Sequence, residues 1–497
     1  MLRIIFLVGC IFEFAVLITA MTMNKDQISG IRYASSVQIN EVLDHLSALQ
    51  SIATTSNGNR AVNTTGFNRT LDYITDYLET NTNFIITKRF FSRGNSQLLQ
   101  FYQVQYSGSA SLTSDVPLIV VPNLGCSDAD WNAAQPSVAG RVAIVKRGDC
   151  TFEEKARLAA QYKVAALLIY NDGRATDGTR PISISIGVNN RVPALFLSYS
   201  LGQTLVTAVN DPSRNICADT RTGDPTQTIL IGSHSDSVPA GPGINDNGSG
   251  SAANLALAAT LARLMETEGY TPYRYRTRFC WWGAEELGLL GSSYHVSEAK
   301  KSTIVGERIT DYLININLDM IGSPNFIFGI YDGKTAPTST PAAAKPGSNK
   351  MTALFQDWFN QNKLPWDYTK FDGRSDYGPF LAAGIAAGGL FSGADGAKTT
   401  EQRNRYETML GSGLGGSSGI RLDICYHKAC DKTTNINEFA LNKMIQASAY
   451  AIESLGQQSD LKTWLYPTKE IQRLEKQSEP FKYEYNSMNE YFGMPYE

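Results

Sequence analysis

Several segments from residue 229 onward share one pattern, in which an apolar run ends at side chains that can bind a metal ion. The run Ile229–Ile231 leads into a loop that contains His234 and Asp246. The later runs of this kind are Arg276–Trp282, followed by Glu285 and Glu286, and Tyr312–Leu318, followed by Asp319. Open α/β sheets place their sites at the carboxyl ends of their strands. The pattern therefore predicts an α/β fold with a site at one edge of a sheet.

Histidine is scarce in this chain, and half of the histidines lie in or near these segments. Of the four, His234 and His427 stand among carboxylates or cysteines. His45 falls in an amphipathic helical pattern, and we expect His295 to be a surface or structural residue. Imidazoles combined with carboxylates are the ligand chemistry of a two-zinc hydrolytic centre. The candidate site residues are His234, Asp246, Glu285, Glu286, Asp319 and His427.

The neighbouring carboxylates Glu285 and Glu286 favour a hydrolytic reaction. Adjacent carboxylates in a turn can point in different directions, so one can bind a metal while the other accepts a proton. A Glu-Glu pair alone is common on solvated helices, but this pair follows the apolar run FCWWGA. Asp246 lies in the loop GINDNGSG, where glycine permits sharp turns that would let a short carboxylate approach two metals. Asp236, two residues after His234, suits acceptance of the imidazole N–H.

The first twenty residues resemble a secretory signal peptide. Arg3 supplies positive charge, the apolar stretch Ile4–Ala20 follows, and Glu13 interrupts it. A stable membrane span needs about 20 apolar residues, so we predict a signal peptide at residues 1–20 and no membrane anchor. The protein is then expected to be secreted or held in a vacuole-like compartment. A net charge of −3 and the lack of a long basic run argue against nucleic-acid binding.

The cysteine count favours disulfide bonds. Of seven cysteines, six remain once the segment with Cys10 is removed, and an even number is typical of an oxidising compartment. A bridge across the short loop Cys425–Cys430 would fix the imidazole of His427. The other candidate pairs are Cys126 with Cys150 and Cys217 with Cys280. For Cys217 and Cys280 the alternative of two buried thiols stays open.

Three sequons occur in the chain, at Asn63, Asn68 and Asn247. Asn63 and Asn68 lie in a polar stretch and are predicted glycosylation sites. Asn247 adjoins Asp246, where a glycan would block the site, so we expect it to be unmodified.

The texture of the sequence divides the chain into parts. Residues 36–111 are predicted to form the N-terminal part of the main domain, residues 112–213 a separate α/β module with short strands, and residues 214–458 the rest of the main domain. Residues 459–497 are an extension, either a surface wrap or a cleavable tail. The Pro- and Ala-rich segment Lys334–Lys350 is predicted to be a loop.

The segments that contain the candidate site residues resemble those of a family of zinc aminopeptidases. This family contains aminopeptidase Y, the secreted leucyl aminopeptidases and, more distantly, glutamate carboxypeptidase. The resemblance lies, in order, in GSHSDSVPAGPGINDNGSG, WWGAEELGLLGS, NLDMIGS, GRSDYGPF, AGGLFSGA and CYHKACD. The inserted module is similar to a protease-associated (PA) domain through VAIVKRGDCTFEEKARLAA. The family implies a di-zinc exopeptidase fold, with a mixed central β-sheet flanked by helices and a smaller α/β PA domain inserted.

The resemblance also implies roles for single residues and two zinc ions per chain. It implies His234 and Asp319 on one zinc, Glu286 and His427 on the other, Asp246 between the two ions, and Glu285 as general base. Tyr426 and Arg374 match positions that assist the transition state or bind the substrate carbonyl, and Met320 and Phe391 match walls of an apolar pocket. Tyr377 stands where some relatives carry histidine.

From this resemblance we expect a zinc-dependent aminopeptidase. It should remove large hydrophobic residues such as leucine from peptides with a free N-terminus. The alternatives are a carboxypeptidase of the same clan, a one-zinc glutaminyl cyclase and a non-catalytic receptor-like scaffold. A full set of five ligands argues against the cyclase and the scaffold. The sequence carries no signal for an oligomeric state.

Overall fold

The computed structural model describes residues 25–91, 101–109, 116, 118–134, 137–174, 178–190, 192–210 and 213–477. The predicted signal peptide and the end of the C-terminal extension lie outside the described residues. The described chain forms two compact units: the second is Phe90–Ser213, and the first comprises the residues on either side of it. None of the described helices combines the length and the apolar character needed to cross a bilayer.

The strands and helices are numbered in chain order. The strands are β1 Ile85–Phe91, β2 Phe101–Gln103, β3 Leu118–Val120, β4 Val142–Lys146, β5 Ala166–Tyr170, β6 Ala194–Leu197, β7 Ser213–Asp219, β8 Asp224–His234, β9 Tyr275–Trp282, β10 Tyr312–Leu318, β11 Gly329–Tyr331, β12 Asp367–Thr369 and β13 Ala386–Phe391. The helices are α1 Lys25–Ser36, α2 Ile39–Thr54, α3 Thr65–Asn81, α4 Asp128–Ala133, α5 Phe152–Gln161, α6 Tyr199–Asn210, α7 Gly250–Met265, α8 Leu290–Lys301, α9 Ala344–Gln361, α10 Tyr377–Ala382, α11 Thr400–Leu410, α12 Glu438–Gly456, α13 Leu461–Leu465 and α14 Thr468–Gln477.

The first unit is built on a mixed sheet with the strand order β1-β7-β9-β8-β10-β13-β11-β12. The central strands β9, β8, β10 and β13 are parallel, whereas β7 and β11 run antiparallel to their neighbours β9 and β13. Because the central strands are parallel, their carboxyl ends meet at one edge. His234 ends β8, Glu285 and Glu286 follow β9, and Asp319 follows β10, so all four lie at that edge. The predicted α/β fold with a mixed central sheet is confirmed.

Both faces of the central strands are covered by helices. Ile229 and Ile231 of β8 belong to the larger core, which helices α2, α3, α7 and α12 help to form, whereas Leu230 packs with Trp282 and Phe380 on the opposite face. A strand buried on both faces is apolar at most of its positions. This explains why the sequence shows continuous apolar runs before the candidate ligands.

The second unit has its own five-stranded sheet in the order β2-β6-β5-β4-β3. Strands β3 to β6 are parallel, and β2 runs antiparallel to β6. The core of this unit contains Trp131, Val145, Leu167 and Phe196. The disulfide Cys126–Cys150 also belongs to the second unit. This architecture agrees with the expected α/β PA module.

The structure changes some predicted element limits. Strand β8 runs on to His234, so this histidine ends a strand and does not lie in a loop. The segment Lys334–Lys350, predicted to be a loop, is helical from Ala344 onward. Pro346 lies in the first turn of that helix, where a main-chain N–H has no helical partner and its loss is tolerated. Beyond residue 458, Leu461 and Leu465 of α13 are fully buried in the larger core.

A disulfide joins Cys217 of β7 to Cys280 of β9, the pairing that the sequence left open. The two cysteines are register partners in the antiparallel ladder and are buried. The bridge closes a sequence separation of 63 residues.

Replacing Cys217 and Cys280 together with alanine should lower the free energy of unfolding of the first unit by about 2–5 kcal/mol, since the bridge restricts the unfolded chain. Denaturant unfolding measures this change. The matched control replaces Cys126 and Cys150, which lie in the second unit. A double variant at 217 and 280 with unchanged stability would contradict the prediction.

Candidate metal centre

His234 presents its Nε2 atom to three carboxylates at the edge of the sheet. Nε2 lies 3.3 Å from Asp246 Oδ1 and 3.5 Å from Asp319 Oδ1. Glu285 Oε2 is farther away, at 3.8 Å. The imidazole is fully buried, with 1% of its side chain exposed. Three carboxylates and one imidazole therefore converge on a small buried volume.

His427 forms a second, neighbouring group with two carboxylates. Its Nε2 lies 3.1 Å from Asp246 Oδ2 and 3.1 Å from Glu286 Oε2. The residue has a left-handed backbone with φ 57° and lies inside the loop closed by the Cys425–Cys430 disulfide. The bridge therefore constrains the loop that aims this imidazole.

Asp246 stands between the two groups, with one oxygen toward each imidazole. It lies in the turn Ile244–Ser249, where the backbone leaves helical geometry at φ −109° and ψ 93°. Asp431, directly after the disulfide loop, accepts the N–H groups of Asn245 and Asp246 at 2.8 and 3.0 Å. The turn that carries Asp246 is thus tied to the loop that carries His427.

The spacing of these atoms fits zinc. Nitrogen and oxygen ligands about 2.0–2.1 Å from a tetrahedral zinc ion lie about 3.3 Å from one another. Two groups of side chains could each hold an ion, namely His234 with Glu285 and Asp319, and Asp246 with Glu286 and His427. Asp319 Oδ1 is buried and accepts no hydrogen bond from the described residues, an unfavourable state that a cation would relieve. Each group of donors therefore fits a metal ion, and Asp246 has one oxygen toward the imidazole of each group.

Burial and mutual contact shift the pKa values of these groups strongly. Burial raises the pKa of Glu285 well above its usual value and that of Glu286 to about 7. Burial alone would lower the pKa of His427, but its bonds to Asp246 and Glu286 raise it to about 10. The pKa of His234 is also raised, because the charges of Glu285 and Asp319 outweigh burial. A metal ion needs the unprotonated ring nitrogen, so metal ions and protons would compete for both histidines.

Asp236 is buried behind the two groups and contacts both. His234 Nδ1 lies 3.2 Å from its main-chain oxygen and 3.5 Å from its carboxylate Oδ1. The carboxylate also accepts the N–H of Glu285 at 3.2 Å and that of Glu286 at 3.4 Å. The imidazole therefore bonds the main-chain oxygen of Asp236, whereas the predicted acceptor, its carboxylate, bonds the Glu-Glu turn.

An open cavity of about 430 Å³ leads to these carboxylates. Its lining includes the polar residues Asp246, Glu285, Glu286, Asp319 and His427 and the mostly apolar residues Met320, Tyr331, Phe391 and Leu422. Arg374 Nη2 donates a hydrogen bond to the Tyr426 hydroxyl at 3.3 Å, and both residues line the cavity. The structure thus brings the predicted polar and apolar residues to one cavity.

Tyr377, for which the sequence analysis assigned no role, stabilises the turn that precedes Arg374. The buried hydroxyl donates to Asp372 Oδ1 at 2.9 Å and accepts the N–H groups of Asp372 and Gly373 at 3.1 Å each. Ser375 donates to the other oxygen of Asp319 at 2.5 Å. Both residues lie in the segment GRSDYGPF, and this motif is the sequence feature that could have pointed to them. Their hydrogen-bond partners depend on the tertiary fold.

The three sequons differ in exposure. Asn63 is exposed, Asn68 is half-buried on α3, and Asn247 is fully buried. The Asn247 amide donates to the main-chain oxygen of Leu318 at 2.9 Å and accepts the N–H of Met320 at 3.2 Å. Asn247 therefore contacts the main chain on both sides of Asp319, which supports the expectation that it is unmodified. Glycosylation at Asn63 and Asn68 stays a prediction.

Comparisons with known proteins agree with the geometry. The sequence model of peptidase family M28 matches residues 215–452, and that of the PA domain matches residues 114–205. An aminopeptidase of Pseudomonas aeruginosa (strain UCBPP-PA14) is 35% identical over 461 residues, which cover 84% of this chain and 81% of the relative. A probable leucine aminopeptidase 2 of Aspergillus oryzae is 33% identical over 465 residues, which cover 88% of each chain.

Among solved structures, an aminopeptidase from Aneurinibacillus sp. strain AM-1 is 20% identical, with a TM-score of 0.47 and a coverage of 85% of this chain and 95% of its own. The two sequence relatives each share more than 30% identity with this chain over most of their length. The chain therefore belongs to peptidase family M28 and carries an inserted PA domain.

Proposed function

We propose that the protein is a di-zinc aminopeptidase that removes N-terminal residues, preferentially large hydrophobic ones such as leucine, from peptides. The observation that carries the proposal is Asp246, whose two oxygens face the imidazoles of His234 and His427 at 3.3 and 3.1 Å. Membership of family M28 and the relatives named aminopeptidase support a metalloaminopeptidase. The zinc count, the general base and the leucine preference are the proposed details.

Five side chains would hold the two ions. His234 and Asp319 would bind one zinc, Glu286 and His427 the other, and Asp246 would bridge them. When bound, such ions polarise the scissile carbonyl and acidify a water molecule. Glu285 belongs to the same group of donors as His234 and Asp319. We assign it to proton transfer because its carboxylate lies farther from His234, at 3.8 Å, than those of Asp246 and Asp319.

Glu285 is suited to move a proton twice. It is largely buried beside Glu286, and burial raises its pKa well above the ordinary value. The positive charge of a loaded centre would lower that pKa again, which favours a group that can both accept and release a proton. Glu285 would take the proton from the attacking water and pass it to the leaving amine.

Tyr426 would stabilise the negative oxygen that forms at the scissile carbonyl. Its hydroxyl oxygen accepts a hydrogen bond from Arg374 at 3.3 Å, so the hydroxyl proton is available for the substrate. A donor aimed at developing charge in a partly buried cavity is worth more than the same donor in water. Arg374 would therefore act by orienting and polarising the tyrosine.

The apolar residues that line the cavity would select the side chain of the substrate's N-terminal residue. Met320 is buried to 3% exposure, and Phe391 and Leu422 line the same cavity. Apolar walls favour side chains such as leucine, each buried methylene contributing about 0.8 kcal/mol. The neighbouring carboxylates would attract the ammonium group of a free N-terminus.

We propose that the protein follows the secretory pathway, to the exterior or to a vacuole. Three disulfides are present in the described part of the chain. Stable disulfides are rare in the cytosol, which keeps thiols reduced.

The decisive test is hydrolysis of leucine p-nitroanilide by the purified mature protein. Activity should disappear on chelation and return on addition of zinc. N-acetyl-leucine p-nitroanilide is the matched substrate and should not be hydrolysed, because its amine is blocked. Release of C-terminal residues from N-blocked peptides would instead favour the carboxypeptidase alternative. A protein that holds two zinc ions but attacks neither class would refute the proposal.

A further inference from the structure

A buried arginine from the N-terminal part of the first unit reaches the loop that joins two candidate zinc ligands. Arg60 lies between α2 and α3, outside the region matched by the M28 sequence model, and is 0% exposed. The loop Ser235–Gly243 runs from His234, at the end of β8, toward the turn that carries Asp246. This loop is the chain connection between the two candidate ligands.

Arg60 bonds both ends of that loop. Its Nη1 donates to the main-chain oxygen of Ser235 at 2.5 Å. Its Nε and Nη2 donate to the oxygens of Pro242 and Gly243 at 2.9 and 2.6 Å. Its own N–H donates to Ser237 Oγ at 2.9 Å, and the N–H of Ser237 donates back to the Arg60 oxygen at 3.4 Å. One residue therefore fastens the beginning, the interior and the end of the loop.

The guanidinium group of Arg60 is a charged group in a fully buried position. Burial has the largest effect on Arg60 and lowers the pKa of its guanidinium group to about 10. The charges of nearby carboxylates, Asp236 most of all, act in the opposite direction and raise this pKa. The group therefore stays charged at neutral pH, and a buried charge is unfavourable unless it is well bonded. Its bonds in the described structure go to main-chain oxygens. Arginine offers several donors in a rigid fork, which lysine cannot reproduce.

Movement of the loop would reach the proposed catalytic groups. Asp236 lies in it and holds the N–H groups of Glu285 and Glu286. At the other end of the loop, Gly243 has φ 60°. A Cβ atom at this position would lie 2.3 Å from the main-chain oxygen of Asp246. The loop is therefore closed tightly around the ligand turn, and its ends cannot shift independently of the metal groups.

We propose that Arg60 is a positioning residue of the metal centre, whose fork of hydrogen bonds sets the separation of His234 from Asp246 and the orientation of Glu285. The N-terminal segment is then part of the site. This inference rests on the proposed di-zinc function.

The test is zinc titration of the full mature protein in competition with a chromophoric chelator. Arg60→Lys keeps the charge but not the fork, so zinc affinity should fall by about tenfold, the lower end of the loss that follows removal of a residue bonded directly to a metal ligand. At saturating zinc, kcat should fall more than KM changes, because the apolar pocket is untouched. Arg276→Lys is the matched control. Arg276 is also a buried arginine, bonds Thr228 and Gly306, and lies near the opposite end of β9.

Wild-type zinc affinity in Arg60→Lys, or an equal loss in Arg276→Lys, would overturn the inference. If Arg60→Lys does not fold, Arg60→Gln is measured in its place, because glutamine keeps two side-chain N–H donors but cannot reach the main-chain oxygens of Ser235, Pro242 and Gly243 together. Zinc binding weakened by about tenfold in Arg60→Gln would support the inference, and unchanged binding would overturn it. Failure of the wild-type protein to bind zinc would overturn the proposed function as well, so the two failures are distinguishable.

Discussion

Replacing Glu285 with glutamine is expected to lower kcat for leucine p-nitroanilide by about 10²- to 10⁴-fold, the usual contribution of a general acid–base group. Glutamine has the same shape but cannot accept a proton at neutral pH. The fold and both zinc ions should remain, because Glu285 Oε2 lies farther from His234 Nε2, at 3.8 Å, than the Asp246 carboxylate, at 3.3 Å. Initial rates give kcat, and metal analysis gives the zinc content.

The neighbouring residue supplies the matched comparison. Glu286 Oε2 lies 3.1 Å from His427 Nε2, so Glu286→Gln should weaken zinc binding first. Added zinc should then restore part of the activity of Glu286→Gln but none of that of Glu285→Gln. Normal turnover in a Glu285→Gln protein that holds two zinc ions would show that another group takes the proton. Loss of zinc in Glu285→Gln would make Glu285 a ligand instead.

The arrangement of the sheet edge could be predicted because each step was local. Strands buried on both faces appear as apolar runs, and the residue that follows such a strand lies at a fixed edge. The predicted run Tyr312–Leu318 coincides with β10, and Asp319 follows it directly. The positions of His234 and Glu286 follow from the same rule. The limits of β8 could not be predicted, because the residues on both sides of the apolar run Ile229–Ile231 are polar, proline or glycine.

Contacts between distant parts of the chain could not be predicted from single segments. Arg60 binds Ser237 across 177 residues, and its local sequence NGNRAV is typical of an exposed turn. The bond between Cys217 and Cys280 depends on the register of β7 against β9, which no local pattern specifies. Asp431 is one carboxylate among many in the sequence, and only the fold places it against the turn that carries Asp246.

Asp246 is the residue whose loss should damage the metal centre most. Its oxygens lie 3.3 Å from His234 Nε2 and 3.1 Å from His427 Nε2, so each oxygen serves one group. In Asp246→Asn one oxygen becomes an NH₂ group, which cannot bind a metal ion. Removal of an outer partner already weakens metal binding about 10- to 100-fold. We therefore expect the variant to retain at most one zinc ion and to lose at least about 100-fold in kcat.

The control is Asp311→Asn, which changes another buried aspartate in the same way. Asp311 pairs with Arg308 at 2.8 Å just before β10, at the end of that strand away from Asp319. It should lower thermal stability but keep two zinc ions per chain. Stoichiometry by metal analysis after dialysis, together with kcat at added zinc, separates the two variants. Two tightly bound zinc ions in Asp246→Asn would mean that the ions do not share this carboxylate, whereas zinc loss in Asp311→Asn would make the effect one of general stability.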